Sequence, residues 1–324
     1  HIGTYNHKGA VNISRSDKEI TEEDRTHVLE AARQMRISND REIIETIPLG
    51  YTVDKQKGVP NPIGMEGSHL GVNVHLVTAS TMILNNIYKC VNRAGFRING
   101  VAYGLLALGD AVVMPEEKEL GVVLVDIGGH VTDIAIYVMG GVCYTHELTI
   151  GGDYITRDIA YGMRTSFEHA RTLKEQFGMA CSSSLIERDE DVDFYGVDGI
   201  TPKKTKVSQL HDIIHPRVEE IMKMVKQSIL SSEFENAIPA GIILTGGTAK
   251  LKGICEVAES VFKMPVRLGI SQGFDGRAEL TGDLRNSTVL GLSTYIDSGN
   301  LGREARNKKQ SFLDKIKKFI EEIF

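Results

Sequence analysis

Two apolar stretches of the chain each end on a pair of glycines, and this repeated pattern restricts the possible folds more than any other feature. The first reads GVVLVDIGGHVTDIAIY (121–137) and the second reads GIILTGGTAK (241–250). A glycine pair at the end of a strand leaves backbone N–H groups free of Cβ atoms, so each turn favours contact with phosphate oxygens. A helix that opens at Thr248 would place its N-terminus beside a nucleotide. An ordinary hairpin turn and a plain strand-turn-helix corner remain the alternative interpretations.

Candidate ligand-binding residues lie in these turns and on one helix. Asp126, at the end of the first strand, is placed to hold a hydrated Mg²⁺ or to orient a water molecule. In the stretch ARTLKEQFG, Arg171 and Lys174 lie three residues apart on one helix face and are candidates to meet an adenosine, although a solvated face explains them as well. The residues predicted to bind a nucleotide are Gly128, Gly129, His130, Val131, Arg171, Lys174, Gly246, Gly247 and Thr248.

Composition and motifs exclude several classes of protein. The 324 residues are 41% hydrophobic and 25% charged with a net charge of −6, which is typical of a globular chain of two domains, or one with insertions, and unfavourable for nucleic-acid binding. The four cysteines have no C-x-x-C spacing, so neither a zinc site nor disulfides are expected. Neither a Walker A motif nor G-x-G-x-x-G occurs, and no apolar run is long enough to span a membrane, so we expect a cytoplasmic protein.

Apolar periodicity predicts strands and helices that alternate along the chain, which is the pattern of an α/β fold. A long helix over residues 211–234 would bury one stripe, made of Ile214, Val218, Ile221, Met222, Val225 and Ile229. A short strand is expected at 98–103, and loops or short hairpins are expected at 182–206. His169, His211 and His215 are expected at surface or cap positions.

Five stretches, in one order, carry a resemblance to a known family. ITEEDRTHVLEAAR, NPIGMEGSHLGVNVHLVT and IYKCVNRAGF precede the two glycine-turn stretches. Together they resemble FtsA, the family of bacterial actin-like cell-division proteins, over nearly the whole chain. The resemblance implies an α/β fold of the actin/Hsp70 ATPase type, in which two lobes surround a cleft for ATP and Mg²⁺. An FtsA-type subdomain called 1C would replace one actin subdomain.

The resemblance also implies how the chain is divided. Residues 1–77 would be subdomain 1C, 78–118 part of the first lobe (1A), 121–165 and 237–296 the core of the second lobe (2A), and 166–236 its outer subdomain (2B). Residues 297–310 would be a linker, and 311–324 an amphipathic membrane-targeting helix. The family's first phosphate loop would lie before His1, so the first lobe is expected to be N-terminally incomplete.

The first turn departs from the family's usual D-x-G-G-G-T-T-D. His130 stands in place of the third glycine, Val131 in place of the first threonine, and Arg171 where the adenosine helix commonly has a glutamate. We expect the His130 side chain to restrict φ and to project its imidazole toward the γ-phosphate or over the mouth of the cleft. ATP would still bind, and its hydrolysis would be slow or absent. An imidazole that points to solvent and changes nothing is the alternative.

The resemblance further implies the partners of the protein. It would bind the C-terminal peptide of FtsZ, associate with further copies of itself into protofilaments, and help recruit later membrane proteins of the divisome. Its place would be the cytoplasmic face of the inner membrane, at the division septum. In the helix HPRVEEIMKMVKQ, Arg217 is the candidate contact for the acidic FtsZ peptide, with a solvated helix face as the alternative.

Two other functions fit an actin-type fold, namely a pilus-assembly adaptor of the PilM type and a sugar or acetate kinase. A kinase needs a general base and a substrate pocket, and Asp126 is the one candidate base that the sequence offers. A pilus adaptor should lack a terminal amphipathic helix. The sequence predicts such a helix, so a cell-division protein is the favoured interpretation.

The last fourteen residues, SFLDKIKKFIEEIF, predict a membrane anchor without reference to any family. One face of the helix would carry Phe312, Leu313, Ile316, Phe319, Ile320, Ile323 and Phe324. This length is too short to cross a bilayer, so the helix would lie in the interface, with Lys315, Lys317 and Lys318 against anionic lipids. A terminal helix docked on the core or on a partner is the alternative.

Overall fold

The computed structural model describes residues 2–181 and 189–297, and these form two compact units. Unit 1 contains the described residues up to Asp110 and from Thr288 onward, and unit 2 contains those from Ala111 to Ser287. The predicted terminal helix at 311–324 and the linker beyond Asp297 lie outside the described residues.

Unit 1 is built on a four-stranded antiparallel sheet. The elements of this part of the chain are β1 (Ile2–Asn12), α1 (Glu22–Arg33), β2 (Arg41–Val53), β3 (Gln56–Val59), β4 (His69–Ser80), α2 (Thr81–Arg93) and α3 (Gly104–Val112). The strand order is β1-β4-β2-β3. Helix α1 crosses the sheet over Gly9, where a Cβ would lie 2.5 Å from the carbonyl oxygen of Val28. Val28 and Ala32 pack there against buried side chains of β4, which makes the core of the unit.

The strand expected at 98–103 is not formed, and this prediction is wrong. A strand needs a neighbour to satisfy its backbone N–H and C=O groups, and among the described strands none pairs with this segment. The preceding helix α2 buries Leu84, whereas Met82, Ile87 and Phe96 around it are exposed. Apolar periodicity alone therefore did not decide which residues become buried here.

Unit 2 is built on a mixed five-stranded sheet, which confirms the α/β prediction. Its elements are α4 (Pro115–Leu120), β5 (Val122–Ile127), β6 (Thr132–Val138), β7 (Gly141–Leu148), α5 (Gly152–Met163), α6 (Phe167–Phe177), β8 (Asp191–Tyr195), β9 (Pro202–Lys206), α7 (Val207–Leu230), β10 (Ile242–Thr245), α8 (Ile254–Phe262), β11 (Val266–Leu268) and α9 (Ala278–Thr281), and α10 (Ser287–Asp297) follows. The strand order is β11-β10-β5-β6-β7. Strand β10 is parallel to β5 and β11, whereas β5, β6 and β7 are antiparallel neighbours.

Helix α7 supplies a large part of the core of unit 2. The predicted apolar stripe is confirmed, because all of its members are buried: Ile214, Val218, Ile221, Met222, Val225 and Ile229. They belong to one hydrophobic core with Val123 and Leu244 of the sheet. Loops or short hairpins are expected at 182–206, and in the described part of this range β8 and β9 pair antiparallel as one hairpin.

Two local predictions fail in unit 2. After the second glycine pair the chain makes a short 3₁₀ turn, Gly247–Lys250, and then turns extended at Leu251, so the helix does not open at Thr248 but at Ile254. His211 is fully buried rather than exposed, because it faces the core from α7 and its Nε2 donates to the carbonyl oxygen of Phe177 over 3.2 Å.

Candidate functional site

The two glycine turns lie side by side because the strands before them are parallel neighbours. Strands β5 and β10 pair in register up to Asp126, which lies opposite Thr245. Parallel strands end at the same edge of a sheet, so the turns Gly128–Gly129 and Gly246–Gly247 emerge together. The sequence predicted two turns, and the strand order brings them to one place.

Hydrogen bonds join both turns to the start of α5. The Thr248 hydroxyl donates to the carbonyl oxygen of Gly128 over 2.9 Å. The backbone N–H of Gly152 donates to the same oxygen over 2.9 Å, and that of Asp153 donates to the carbonyl of Gly129 over 2.8 Å. The first turn is therefore held in place by bonds from the second turn and from the start of α5.

The amides of the first turn are less open than the sequence pattern indicated. The backbone N–H of Gly128 donates to the carbonyl oxygen of Val131 over 3.0 Å, so this amide is engaged inside the turn. Val131 is half-buried and contributes its backbone to this contact. The Gly128 amide is therefore not free to donate to a ligand at this turn.

The backbone of His130 does not have a positive φ, so its conformation is not one that favours glycine. The imidazole is 82% exposed, and its Nδ1 lies 3.2 Å from Oδ2 of Asp153. The side chain is thus at the rim of the turn, in contact with a carboxylate from α5.

A pocket of about 770 Å³ opens where these segments meet. It lies within unit 2. The glycine turns, the N-terminus of α5 and helix α6 line it, together with the N-terminus of α7 and the segment that follows β10. The lining residues are Gly129, Asp153, Arg171, Lys174, Glu175, Gln176, Phe177, Gly178, Met179, Glu190, Val207, His211, Gly247, Thr248, Lys250, Leu251, Lys252 and Arg285. Its size is in the range of small-molecule sites.

The charges of the pocket favour an anionic ligand. Five basic side chains line it, namely Arg171, Lys174, Lys250, Lys252 and Arg285, against the three acidic side chains of Asp153, Glu175 and Glu190. Phe177, Met179, Val207 and Leu251 add an apolar surface. A ligand that combines a charged group with an apolar ring matches this lining.

Lys174 ties helix α6 to helix α5 at the pocket wall. Its Nζ donates to the carbonyl oxygen of Gly152 over 2.9 Å and to the hydroxyl of Thr156 over 2.8 Å. Burial lowers the pKa of Lys174, while the nearby carboxylates of Asp153 and Glu175 oppose this shift. The ammonium group is therefore held in one position by neutral acceptors.

Asp283 holds two other cations of the pocket. Its Oδ2 lies 3.1 Å from Nζ of Lys250 and 2.6 Å from a terminal nitrogen of Arg285. The aliphatic part of Arg285 packs over Gly247, since a Cβ there would lie 3.5 Å from Cγ of Arg285. These contacts hold Lys250 and Arg285 in place at the pocket wall.

Asp126 lies below the turns and does not line the pocket. It is half-buried and faces Asp133 across the β5–β6 pair. Burial, and then the charge of Asp133, raise the pKa of Asp126 to about 6. At neutral pH this carboxyl group is therefore partly protonated.

Arg217 is away from the pocket and is engaged within unit 2. Its Nε lies 2.5 Å from Oδ2 of Asp158 on α5, and its other nitrogens contact Asp158 and Glu220. The side chain is 26% exposed. The arginine thus links α7 to α5, and its role toward a partner stays a prediction.

The structure brings together about half of the predicted nucleotide-binding residues. Gly129, Arg171, Lys174, Gly247 and Thr248 line one pocket, whereas Gly128, His130, Val131 and Gly246 belong to the same turns without lining it. Sequence reasoning missed Asp153, Lys250, Lys252 and Arg285. Asp153 follows a third glycine pair and both lysines follow the second turn, so proximity to the turns was an available signal. Arg285 is distant in sequence and has no such signal.

The fold is of the actin-like type, as predicted. MreB5 of Spiroplasma citri, solved bound to ADP, matches with a TM-score of 0.53 and 18% identity over 68% of this chain and 66% of its own. The PilM-PilN type IV pilus biogenesis complex matches with a TM-score of 0.58 and 16% identity, over 90% of this chain and 76% of that chain. Identities this low show the fold alone.

Sequence comparison gives the family. A family model described as cell division protein FtsA matches residues 123–291, and one described as the SHS2 domain inserted in FtsA matches residues 1–78. Cell division protein FtsA of Pseudomonas aeruginosa is 37% identical over 295 residues, which is 91% of this chain and 70% of the relative. That of Escherichia coli K12 is 33% identical over 317 residues, 96% of this chain and 75% of the relative. The chain belongs to the FtsA family of cell-division proteins, which confirms the resemblance.

Within the described part of the chain, no helix combines the length and the apolar character needed to cross a membrane.

Proposed function

We propose that the pocket of unit 2 binds ATP. The observation that carries this proposal is the meeting of two glycine turns at one sheet edge, beside a pocket with five basic side chains. The actin-like fold supports it, since MreB5 proteins of the same fold were solved with ADP and with AMPPNP. The turn at Gly128–Val131 would face the phosphates, the turn at Gly246–Thr248 the ribose and α-phosphate, and Arg171 and Lys174 the adenosine.

Mg²⁺ would enter with the nucleotide rather than by protein ligands alone. Among the described residues, no group of three or more His, Cys, Asp or Glu side chains is arranged to hold a metal ion. Magnesium readily keeps several waters and takes phosphate oxygens as ligands. A site with few protein ligands therefore fits an Mg²⁺ ion that is bound mainly by the nucleotide and by water. Asp126 would act from below the turns, through water.

Hydrolysis of the bound ATP is proposed to be slow or absent. The support is the environment of the turn, where the Gly128 amide is already engaged and His130 adds a side chain at the rim. Missing one preorganised donor typically costs about 3 kcal/mol in the transition state. The side chain at the rim is tested apart from the Gly128 amide: His130→Gly should raise ATP turnover while ATP still binds, and equal turnover of the two proteins would contradict a role of the His130 side chain in slowing hydrolysis.

The test of ATP binding compares two lysines. Lys174→Met removes a cation of the pocket that two acceptors on α5 hold in place, whereas Lys223→Met removes an exposed lysine of α7 whose partner is Glu219. We expect ATP affinity in the full-length protein to fall about tenfold or more for Lys174→Met, the size of a buried charged contact, and to be unchanged for Lys223→Met. Thermal unfolding of both variants controls for the loss of the α5–α6 link. Equal ATP affinity of both variants, with both folded, would contradict the site.

The cellular role that we propose follows from the family. An ATP-binding FtsA-type protein would self-associate, bind the C-terminal peptide of FtsZ, attach the FtsZ ring to the cytoplasmic membrane at the septum and help recruit later division proteins. A PilM-type adaptor or an actin-fold kinase is less well supported, because the relatives at 33% and 37% identity are cell-division proteins.

Membrane attachment is tested by flotation with anionic liposomes. The full chain should float, and a chain that ends at Gln310 should stay in solution. Phe319→Glu should also stay in solution because it charges the apolar face, whereas Phe319→Leu should float like the wild type. Equal flotation of all four proteins would remove the anchor assignment.

Binding of the FtsZ peptide is tested at Arg217. Arg217→Glu should abolish binding of the FtsZ tail peptide, and Lys223→Glu, on the same helix, serves as the matched charge reversal. Arg217 also pairs with Asp158, so the unfolding midpoint must be measured for both. Unchanged affinity in Arg217→Glu would exclude this residue from the peptide site.

A further inference from the structure

Helix α7 brings a buried histidine, His211, to the wall of the pocket. The side chain is fully buried, and it is one of those that line the pocket. Its Nε2 contacts the carbonyl oxygen of Phe177, the last residue of α6, over 3.2 Å. Its Nδ1 is buried and has no hydrogen-bond partner in the described part of the chain. A buried polar atom without a partner is unfavourable unless a ligand or a water molecule satisfies it.

The contact with Phe177 determines what Nδ1 of His211 can do. A carbonyl oxygen only accepts hydrogen bonds, so Nε2 carries the hydrogen in this contact. At pH 8 a histidine is ordinarily neutral, and a neutral imidazole has one hydrogen for its two ring nitrogens. Nδ1 is therefore an acceptor, and it needs an N–H or O–H donor as its partner.

The segment that His211 contacts is held on two sides. His215, one turn further along α7, donates from its Nδ1 to the carbonyl oxygen of Ala180 over 2.8 Å. The backbone N–H of Ala180 donates to the carbonyl oxygen of Lys252, in the segment after β10, over 2.7 Å. The position of the imidazole is thus set by contacts that also form this end of the pocket.

The surroundings of His211 favour a flat and largely apolar group. Val207 lies one helical turn before it on α7, and Phe177 and Met179 belong to the segment that it contacts. All three line the pocket, as does Leu251. A purine ring combines apolar faces with a polar edge, so it matches an apolar wall that contains one acceptor.

We propose that Nδ1 of His211 accepts a hydrogen bond from the exocyclic amine of a bound adenine and thereby selects 6-aminopurine nucleotides. Hypoxanthine and guanine have a carbonyl oxygen at that position. Two acceptors would then face each other, and Nδ1 would stay without a partner. A buried polar group left unpaired is what allows a site to reject such an analogue. This inference rests on the proposed ATP binding of the same pocket and assigns to it a residue that recognises the base.

The first measurement uses the wild type alone. The dissociation constants of ATP and ITP are measured at pH 8 with the full-length protein, because ITP has a carbonyl oxygen where ATP has the amine. ATP should bind about tenfold more tightly than ITP. Equal affinities, or tighter binding of ITP, would overturn the inference and leave the nucleotide site intact. Absence of binding of both nucleotides would instead overturn the proposed function, and this inference with it.

Two substitutions then separate the two ring nitrogens of His211. His211→Gln keeps an N–H group for the Phe177 carbonyl and loses the acceptor at Nδ1, so the ratio of ITP to ATP dissociation constants should fall to within about twofold of one. His211→Asn can place an amide oxygen near the position of Nδ1, so it should keep a ratio of about three or more. His211→Leu also removes the acceptor, and it takes the place of His211→Gln if that variant does not fold.

The matched control is His169→Gln. His169 also has a buried Nδ1 without a partner among the described residues, but it does not line the pocket, so this variant should keep the wild-type ratio. Thermal unfolding shows which variants are folded. A folded His211→Gln or His211→Leu that keeps the wild-type ratio would overturn the inference, and another acceptor of the pocket, such as Glu190, would then account for the preference.

Discussion

The two glycine turns of the pocket share a sequence pattern but differ in why they contain glycine. Gly246 has a φ of +88°, and a Cβ there would lie 2.3 Å from Oδ1 of Asp126, so both conformation and space require glycine. In the first turn neither glycine has a positive φ, and a Cβ on Gly129 would meet the Asp153 carboxylate at an ordinary 3.4 Å. The shared pattern therefore marks a shared place in the sheet and does not show a shared physical need.

Gly246→Ala should have the largest effect, because it breaks the turn that depends on glycine twice. We expect a loss of about 3 kcal/mol in the free energy of unfolding, from backbone strain and from a contact with the Ile127 carbonyl that would be 2.6 Å. Urea unfolding of the purified protein measures it. A loss no larger than that of Gly129→Ala would contradict the difference between the turns.

Asp126 connects the two turns, because it lies near the end of the strand that leads to the first turn and its side chain packs against Gly246 of the second turn. Its pKa is raised from 3.8 to about 6, so the fold favours its protonated form. Deprotonation of Asp126 therefore lowers the free energy of unfolding. This loss of stability is absent below about pH 4, grows as the pH rises and is complete above about pH 6. Asp126→Asn should therefore stabilise the protein by on the order of 2 kcal/mol at pH 7.5 and hardly at all at pH 4.

The pH dependence of Asp126→Asn is measured by unfolding at both pH values. Asp193→Asn, which removes an exposed carboxylate on β8, is the control and should show no such difference. A gain for Asp126→Asn that is the same at pH 4 and pH 7.5 would show that packing, and not the carboxyl proton, is responsible.

Thr248→Val should have a smaller effect, since it removes a hydroxyl bond that joins the two turns. The Gly128 carbonyl keeps the N–H of Gly152 as a donor, so we expect a loss of about 1 kcal/mol. Thr172→Val, whose exposed hydroxyl donates to Glu168 within one helix, is the matched control. If both variants lose the same stability, the link between the turns contributes nothing specific.

Gly129→Ala should have the smallest effect on stability, under about 0.5 kcal/mol, because its backbone is unstrained and the new methyl group finds an ordinary contact. The same unfolding measurement as for Gly246→Ala applies. A loss above about 2 kcal/mol would mean that the first turn also needs glycine for stability, and the comparison would fail.

Sequence patterns predicted those parts of the fold that depend on local spacing. The stripe from Ile214 to Ile229 follows from helical periodicity alone, and each glycine turn follows from an apolar strand next to it. The strand at 98–103 was wrong because pairing is not a local property. Arg285 enters the pocket from a distant segment, and Arg217 finds Asp158 across two helices, so neither contact had a signal in nearby residues.

The hydroxyl bond between Thr248 and Gly128 joins residues 120 positions apart, and this separation has a consequence for how the protein is made. Contacts of long sequence separation form late, because a long loop must close first. During synthesis the first turn and helices α5 to α7 emerge well before Thr248 does, and domains fold as units while the chain grows. The pocket can be completed only after Arg285 has left the ribosome. A nascent chain shorter than this should carry the first turn without the ability to recognise a ligand there.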